Sequence, residues 1–246
     1  MSFSVLTLNL WNASGPLAVR YSALANGLRI LRPDIVCLQE VSFDPGLARS
    51  QSEIVAEYCN VEHRAEKDSL SILSRYPVVR SDSAALPEFP HDEPRQVLFA
   101  EILIERQSIL VANTHLAYRS EMGQERKAQV DALLAAIKGF WQKGAAAKIL
   151  CGDFNDVPDS PAVRRLLDGG EGFYDTYDKC HPGSPGFTYS RKNPYVDPIA
   201  TIDQRIDYIF AGGGVVPKDC SVVFDGSNGF DFATDHFGVL AVLDLA

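Results

Sequence analysis

Short apolar runs recur along the whole chain, and most of them end on an asparagine, aspartate, glutamate or histidine. They lie at 3–10, 35–39, 70–73, 97–104, 108–113, 148–151, 206–210, 221–224 and 239–243. Their length and β-branched content predict strands. Several follow one another with no helix between them, which argues against the regular β-α-β-α order of a doubly wound sheet. Two packed sheets with helices on the outer faces fit better. Helices are expected at 21–31, where Leu24, Leu28 and Leu31 share a face and Arg32-Pro33-Asp34 stops the pattern, and at 51–58. The clearest is 121–141, with Val130, Leu133, Leu134, Ile137 and Trp141 on one side and Gly139 and Gly144 at its fraying end. Ser160-Pro161 opens another, because proline is tolerated in a first helical turn.

The bulk composition narrows the class. Of 246 residues, 46% are hydrophobic and 22% charged, the balance of a globular chain with a substantial core. No apolar stretch is long enough to cross a bilayer, so stable membrane insertion is not expected. The first residues read as a strand without the basic region and cleavage site of a signal peptide, which makes the cytoplasm the expected location. Five scattered cysteines with no C-x-x-C pair argue against a disulfide framework and a zinc site. The net charge is −9, and the basic residues form only small clusters: Arg126-Lys127, Arg164-Arg165 and Arg191-Lys192. A protein gripping long nucleic acid by its backbone usually carries a basic face, so this balance lowers the odds of that partner without excluding it. No linker divides the chain, and 1–246 reads as one domain. The segment 181–201, rich in Pro, Gly and Ser, reads as a long functional loop.

The polar run ends carry the functional signal. They are Asn9, Glu40, Asn113 with His115, Asp153 with Asn155, Asp207, and Asp235-His236. Any one alone reads as a turn residue or a satisfied core group. Together they fit one pocket, because strand ends on one sheet edge converge. Clustered carboxylates repel unless a cation sits among them.

These residues stand in Thr-Leu-Asn-Leu-Trp, Leu-Gln-Glu-Val, Asn-Thr-His-Leu, Gly-Asp-Phe-Asn, Arg-Ile-Asp-Tyr-Ile-Phe and Thr-Asp-His-Phe-Gly-Val. In that order the set resembles the signatures of the endonuclease/exonuclease/phosphatase (DNase I-like) superfamily, from Asn9 to His236. The resemblance implies a four-layer α/β/β/α sandwich. It also implies Mg²⁺, or Mn²⁺, held by Glu40 with Asn9 and Asp235 completing or flanking the shell. Asp153 is expected to orient and deprotonate the attacking water, with Asn155 fixing the water or a phosphate oxygen. His236 is expected to hydrogen-bond the phosphate, Asp207 to hold the His236 ring, and His115 to donate where charge grows.

The expected activity is therefore metal-dependent hydrolysis of a phosphodiester whose identity the motifs leave open. A DNA or RNA nuclease is the second reading and a sphingomyelinase-like phospholipid phosphodiesterase the third; an inositol phosphatase fits less well. A catalytically silent binding protein is the alternative from another class, and it is disfavoured because no motif is broken. Substrate choice is expected to lie in residues 87–96 and 181–202, with Asn113, Thr188, Tyr189, Arg191 and Lys192 as candidate contacts. Arg95 could reach a phosphate, but an arginine in such a position is more often solvated. Oligomeric state is not readable.

Overall fold

The computed structural model describes residues 1–141, 145–199 and 201–245. The chain begins with β1 (Ser2–Asn9), α1 (Leu17–Leu31) and β2 (Ile35–Gln39), then a small ribbon of β3 (Phe43–Asp44) and β4 (Arg49–Ser50), and α2 (Gln51–Cys59). Five strands follow: β5 (His63–Lys67), β6 (Leu70–Ser74), β7 (Val78–Ala85), β8 (Gln96–Ile104) and β9 (Gln107–His115). Next come α3 (Gly123–Phe140), β10 (Ala147–Asp153), α4 (Pro161–Asp168), β11 (Tyr174–Asp175) and α5 (Thr176–Cys180). The chain closes with β12 (Asp207–Gly213), β13 (Val215–Val223) and β14 (Gly238–Leu245).

Two large sheets result, in the strand orders β13-β14-β1-β2-β6-β5 and β11-β12-β10-β9-β8-β7. In each, one central pair is parallel, β1 with β2 and β9 with β10, and the other pairings are antiparallel. The period of two along β1 shows how the layers form. Phe3 and Val5 face a core shared with Ile109, Val111 and Ile149 of the other sheet. Leu6, Leu8 and Leu10 face Leu24 and Leu28 of α1. The opposite sheet buries Leu110 and Leu150 under Val130, Leu133, Leu134 and Ile137 of α3 and Val163 and Leu166 of α4. The arrangement is the α/β/β/α sandwich.

Local chemistry sets the helix ends. Ser50 and Glu53 form a reciprocal capping box at α2, and the Ser160 hydroxyl accepts from Val163 N–H with Pro161 in the first turn of α4. Helix α1 starts four residues earlier than its leucine spacing suggests, and Gly144, expected at the end of α3, lies outside the described residues. Four cysteines are buried, Cys180 is half-buried, and all five are free thiols. No helix among the described residues is long and apolar enough to cross a membrane.

One glycine is required where β10 meets β9. Gly152 has φ +149°, and a Cβ there would lie 2.1 Å from the Thr114 carbonyl oxygen. That contact is with backbone inside a paired strand and cannot yield cheaply. Gly152→Ala is therefore expected to cost on the order of 3 kcal/mol, read as a lower urea midpoint. An unchanged midpoint would show that the β9–β10 contact is not this tight.

Candidate active site

Strand register assembles the site. Asn9 is level with Gln39 at the ends of β1 and β2, and Asp153 is level with His115 on one side and Asp207 on the other. Glu40 follows β2 with φ 52°, a left-handed conformation uncommon for a side chain of its kind. The Asn9 amide nitrogen donates to Glu40 Oε1 at 3.1 Å and to Asp153 Oδ2 at 3.0 Å, so one side chain joins the two sheets at their polar edge. Asn12 donates to the other Glu40 oxygen. Asp153 Oδ1 accepts from Asn155 N–H at 2.8 Å, and the Asn155 amide donates to the Leu116 carbonyl at 3.2 Å. His236 Nδ1 is 2.9 Å from Asp207 Oδ2, and its Nε2 is 3.8 Å from Asp153 Oδ2, while His115 Nε2 lies 3.5 Å from the same oxygen. Glu40, His115, Asp153, Asn155, Asp235 and His236 line a cleft of about 550 Å³, with Trp11, Tyr118 and Tyr189 as its aromatic walls and Asn9 and Asp207 buried behind it.

The electrostatics divide the two histidines. Burial disfavours charge on His236, but the carboxylates of Asp207, Asp153 and Asp235 outweigh it and hold its pKa well above the ordinary value. Burial lowers His115 to about 4, with Asp153 opposing and the Arg95 charge reinforcing the shift, so His115 is a neutral imidazole. Burial raises the carboxyl of Glu40, the bond from Asn9 lowers it, and the nearby Asp153 charge raises it further. Asp235 is raised by burial too, with His236 opposing.

The sequence profile of the Endonuclease/Exonuclease/phosphatase family matches residues 6–236. The chain belongs to that family. Among its relatives, Protein angel homolog 2 of Danio rerio is 28% identical over 168 residues, covering 61% of this chain and 29% of that protein. The Mus musculus homolog is 27% identical over 201 residues, 69% of this chain and 36% of that one. The chain thus spans about a third of the length of these relatives. Among solved structures, Danio rerio TDP2 complexed with a single-strand DNA product superposes with TM-score 0.81 at 20% identity, covering 99% of both chains. The mannosyl-6-phosphatase of Bacteroides thetaiotaomicron gives TM-score 0.80 at 20% identity, covering 99% of this chain and 100% of that one. At such identities these two show the shared fold alone.

The donor set of this family member suits a hard divalent cation. Glu40, Asp153, Asp207 and Asp235 bring four carboxylates to one edge, and Asp207 Oδ1 is buried with no hydrogen-bond partner. Carboxylate oxygens at this density favour Mg²⁺ or Mn²⁺ over thiolate-seeking metals. Asp153, Asp207 and His236 place three ligating atoms within 4.8 Å of one another. There, however, His236 Nδ1 is already bonded to Asp207, and a proton on that ring competes with a cation. Glu40, with Asn9 beside it and Asp235 nearby, is the more open oxygen-rich position.

The candidate substrate contacts fare unevenly. Tyr189 lines the cleft, its ring 4.9 Å from that of His236. Asn113 does not: it is fully buried, accepts from Gln39 and donates to the Leu38 and Ser71 carbonyls, so it ties the sheets together beneath the site. Thr188 is also fully buried, its hydroxyl accepting from the Ile206 and Asp207 amides to fix the start of β12. Arg191 and Lys192 are exposed and lie outside the cleft wall, with Arg191 paired to Asp203.

Other residues come to light only in three dimensions. Arg95, expected to be solvated, is buried in the cleft wall and paired with Asp92. Arg20, on the apolar face of α1, donates to the carbonyls of Leu10, Ser14 and Ala233 and so holds the segment carrying Trp11 and Asn12 against the segment before Asp235. The placement of Arg20 four residues before Leu24, a charge on an apolar stripe, was the available signal. Trp11 and Asn12 have φ of 54° and 47°, and Asn155 of 49°, so left-handed backbone clusters at the site as it does where geometry serves function. In metal-free protein, histidine ¹⁵N spectra are expected to show His236 protonated above neutral pH and His115 neutral. Asp207→Asn should lower the His236 pKa; an unmoved titration would detach Asp207 from that ring.

Proposed function

We propose that this protein is a divalent-metal-dependent phosphodiesterase, with 1–246 acting as one catalytic domain. The observation that carries the reading is the line Asp207–His236–Asp153–Asn9–Glu40, in which an imidazolium and an oxygen-rich cation position face each other across Asp153. A bound Mg²⁺ or Mn²⁺ supplies Lewis acidity, neutralising phosphate charge and the leaving oxygen. Glu40 would hold it, with Asn9 and Asp235 beside it.

The protein's own groups do the rest. Asp153, oriented by the Asn9 side chain and by the Asn155 backbone N–H, takes a proton from the attacking water as the water oxygen bonds to phosphorus and one ester P–O bond breaks. Asn155, whose amide nitrogen is spent on Leu116, presents its carbonyl oxygen to position that water. His236 keeps Nδ1 on Asp207 and directs Nε2–H at a non-bridging oxygen. A neutral His115 donates from one ring nitrogen to the charge that develops there. Holding donors fixed in a buried site avoids reorganisation during the reaction.

Nucleic acid is the second substrate reading, and it draws on the single-strand DNA product bound by the TDP2 relative of similar fold. The chain's charge of −9 weighs against a long polynucleotide. The sphingomyelinase-like reading gains no support from the cleft. A silent binding role is disfavoured because every catalytic motif is present.

The test is hydrolysis of bis-p-nitrophenyl phosphate with Mg²⁺, Mn²⁺ or EDTA, by the wild type and Asp153→Ala. Turnover is expected with either metal, abolished by EDTA and reduced at least ~10²-fold in the variant. Turnover that persists in EDTA, or survives the substitution, would contradict the proposal.

A further inference from the structure

Arg95 occupies a position that hydrolysis of the scissile ester does not use. Its Nε and Nη2 donate to the two Asp92 oxygens at 3.2 and 2.8 Å, and both side chains are almost wholly buried, at 6% and 1% exposure. The pair fixes the guanidinium plane. Nη1 has no protein acceptor among the described residues, yet it is not sealed from solvent, and Arg95 lines the cleft. An arginine on a cleft wall, with two nitrogens held and the third without a protein acceptor, is prepared to donate to an anionic oxygen.

The sheet shows where that oxygen lies. Across the site edge the strands run β12, β10, β9, β8, bearing Asp207, Asp153, His115 and, just before β8, Arg95. The backbones of Asp153 and Arg95 are therefore two strand spacings apart, roughly 10 Å. Arg95 stands on the far side of His115 from Asp153, its guanidinium tied back to Asp92 and beside Tyr118, so the anion it would take lies further along the cleft wall. Between them the cleft continues past His115 to Tyr118 and Ser120. The Tyr118 ring centre is 5.9 Å from the Arg95 guanidinium carbon, and the tyrosine is half exposed. Among the described residues, Arg95 is the only lysine or arginine that lines the cleft, and the exposed Glu93 lines it too. One grip of this kind suits one additional anionic group and not a run of phosphates.

We infer that Arg95 forms a second anion subsite, which selects phosphodiesters carrying a further phosphate one ester linkage or sugar away from the scissile phosphorus. This rests on the phosphodiesterase reading and deepens it: the substrate is a short, terminally phosphorylated diester. Arg95 acts on binding and leaves the reacting atoms to the groups at Asp153 and His236.

The experiment compares Mg²⁺-dependent cleavage of TpT, its 5′-phosphorylated form and its 3′-phosphorylated form by the wild type, Arg95→Gln and Arg95→Lys. Bis-p-nitrophenyl phosphate serves as the single-phosphate control. The wild type is expected to favour one phosphorylated form over TpT by about 10- to 100-fold in kcat/KM, the range of one charge-assisted hydrogen bond. Arg95→Gln should erase that preference through KM, leave cleavage of the control within a few-fold, and regain part of the preference with added guanidinium. Arg95→Lys should keep part of it. Equal cleavage of all three dinucleotides by the wild type, or a preference that survives Arg95→Gln, overturns the subsite. So does a variant that loses the control substrate to the same degree, which would mark Arg95 as structural. A wild type inactive on every substrate including the control would instead fault the phosphodiesterase reading.

Discussion

The Asn9 side chain is the point at which the two sheets become one site. Its single amide nitrogen reaches Glu40 on its own sheet and Asp153 on the other, while its carbonyl oxygen accepts from Trp11 N–H. An amide suits that place because it neutralises neither carboxylate and adds no charge to a crowded edge. Beneath it the inter-sheet layer turns from apolar to polar. Thr7, Gln39 and Asn113 form a buried hydrogen-bonded bridge where Val5 and Ile109 would otherwise set the pattern. Each member is satisfied, the condition under which a buried polar network specifies geometry without a large penalty. The spacing between Glu40 and Asp153, the residues proposed to hold the cation and to activate water, is thus built into the sandwich.

A second constraint is charge. Four carboxylates, two histidines and Arg95 are gathered at one sheet edge, most of them buried, and burial works against a charged group. The structure answers with partners in series: Asp92 for Arg95, Asp207 for His236, amide donors for Glu40. His115 has only Asp153, 3.5 Å away and shared with Asn9 and His236; burial outweighs that attraction and His115 stays neutral, which leaves the two histidines chemically distinct. Arg20 contributes without an ion pair. It spends its donors on carbonyls, and so binds two irregular segments that have no regular backbone pairing of their own.

Much of this was legible because the strands that build the site are central ones. Buried on both faces, β1, β2, β9, β10 and β12 have apolar sequences with abrupt polar ends, and those ends are the site. Edge strands were not legible: β5 and β7 are largely exposed, and the polar sequences His63–Lys67 and Val78–Ala85 have no face that must avoid water. Residue type also failed to separate Thr188 and Asn113, which satisfy buried backbone, from Tyr189, which faces the cleft. Their side chains are competent for either task, and only the register of neighbouring segments decides. The burial of Arg95 is hidden from the sequence for a related reason. Its burial depends on a turn that brings Asp92 back upon it and on Tyr118 arriving from a distant segment.

The central claim is a division of labour in which Glu40 belongs to the cation and the Asp207–His236 pair to the proton. Mn²⁺ titration followed by electron paramagnetic resonance, on the wild type, Glu40→Gln and Asp207→Asn, tests it without reference to any substrate. The account predicts that Glu40→Gln weakens Mn²⁺ binding by roughly 10²-fold or more, while Asp207→Asn binds nearly as the wild type does. The reverse pattern, with Mn²⁺ lost in Asp207→Asn and retained in Glu40→Gln, would place the cation among Asp153, Asp207 and His236 and contradict the account.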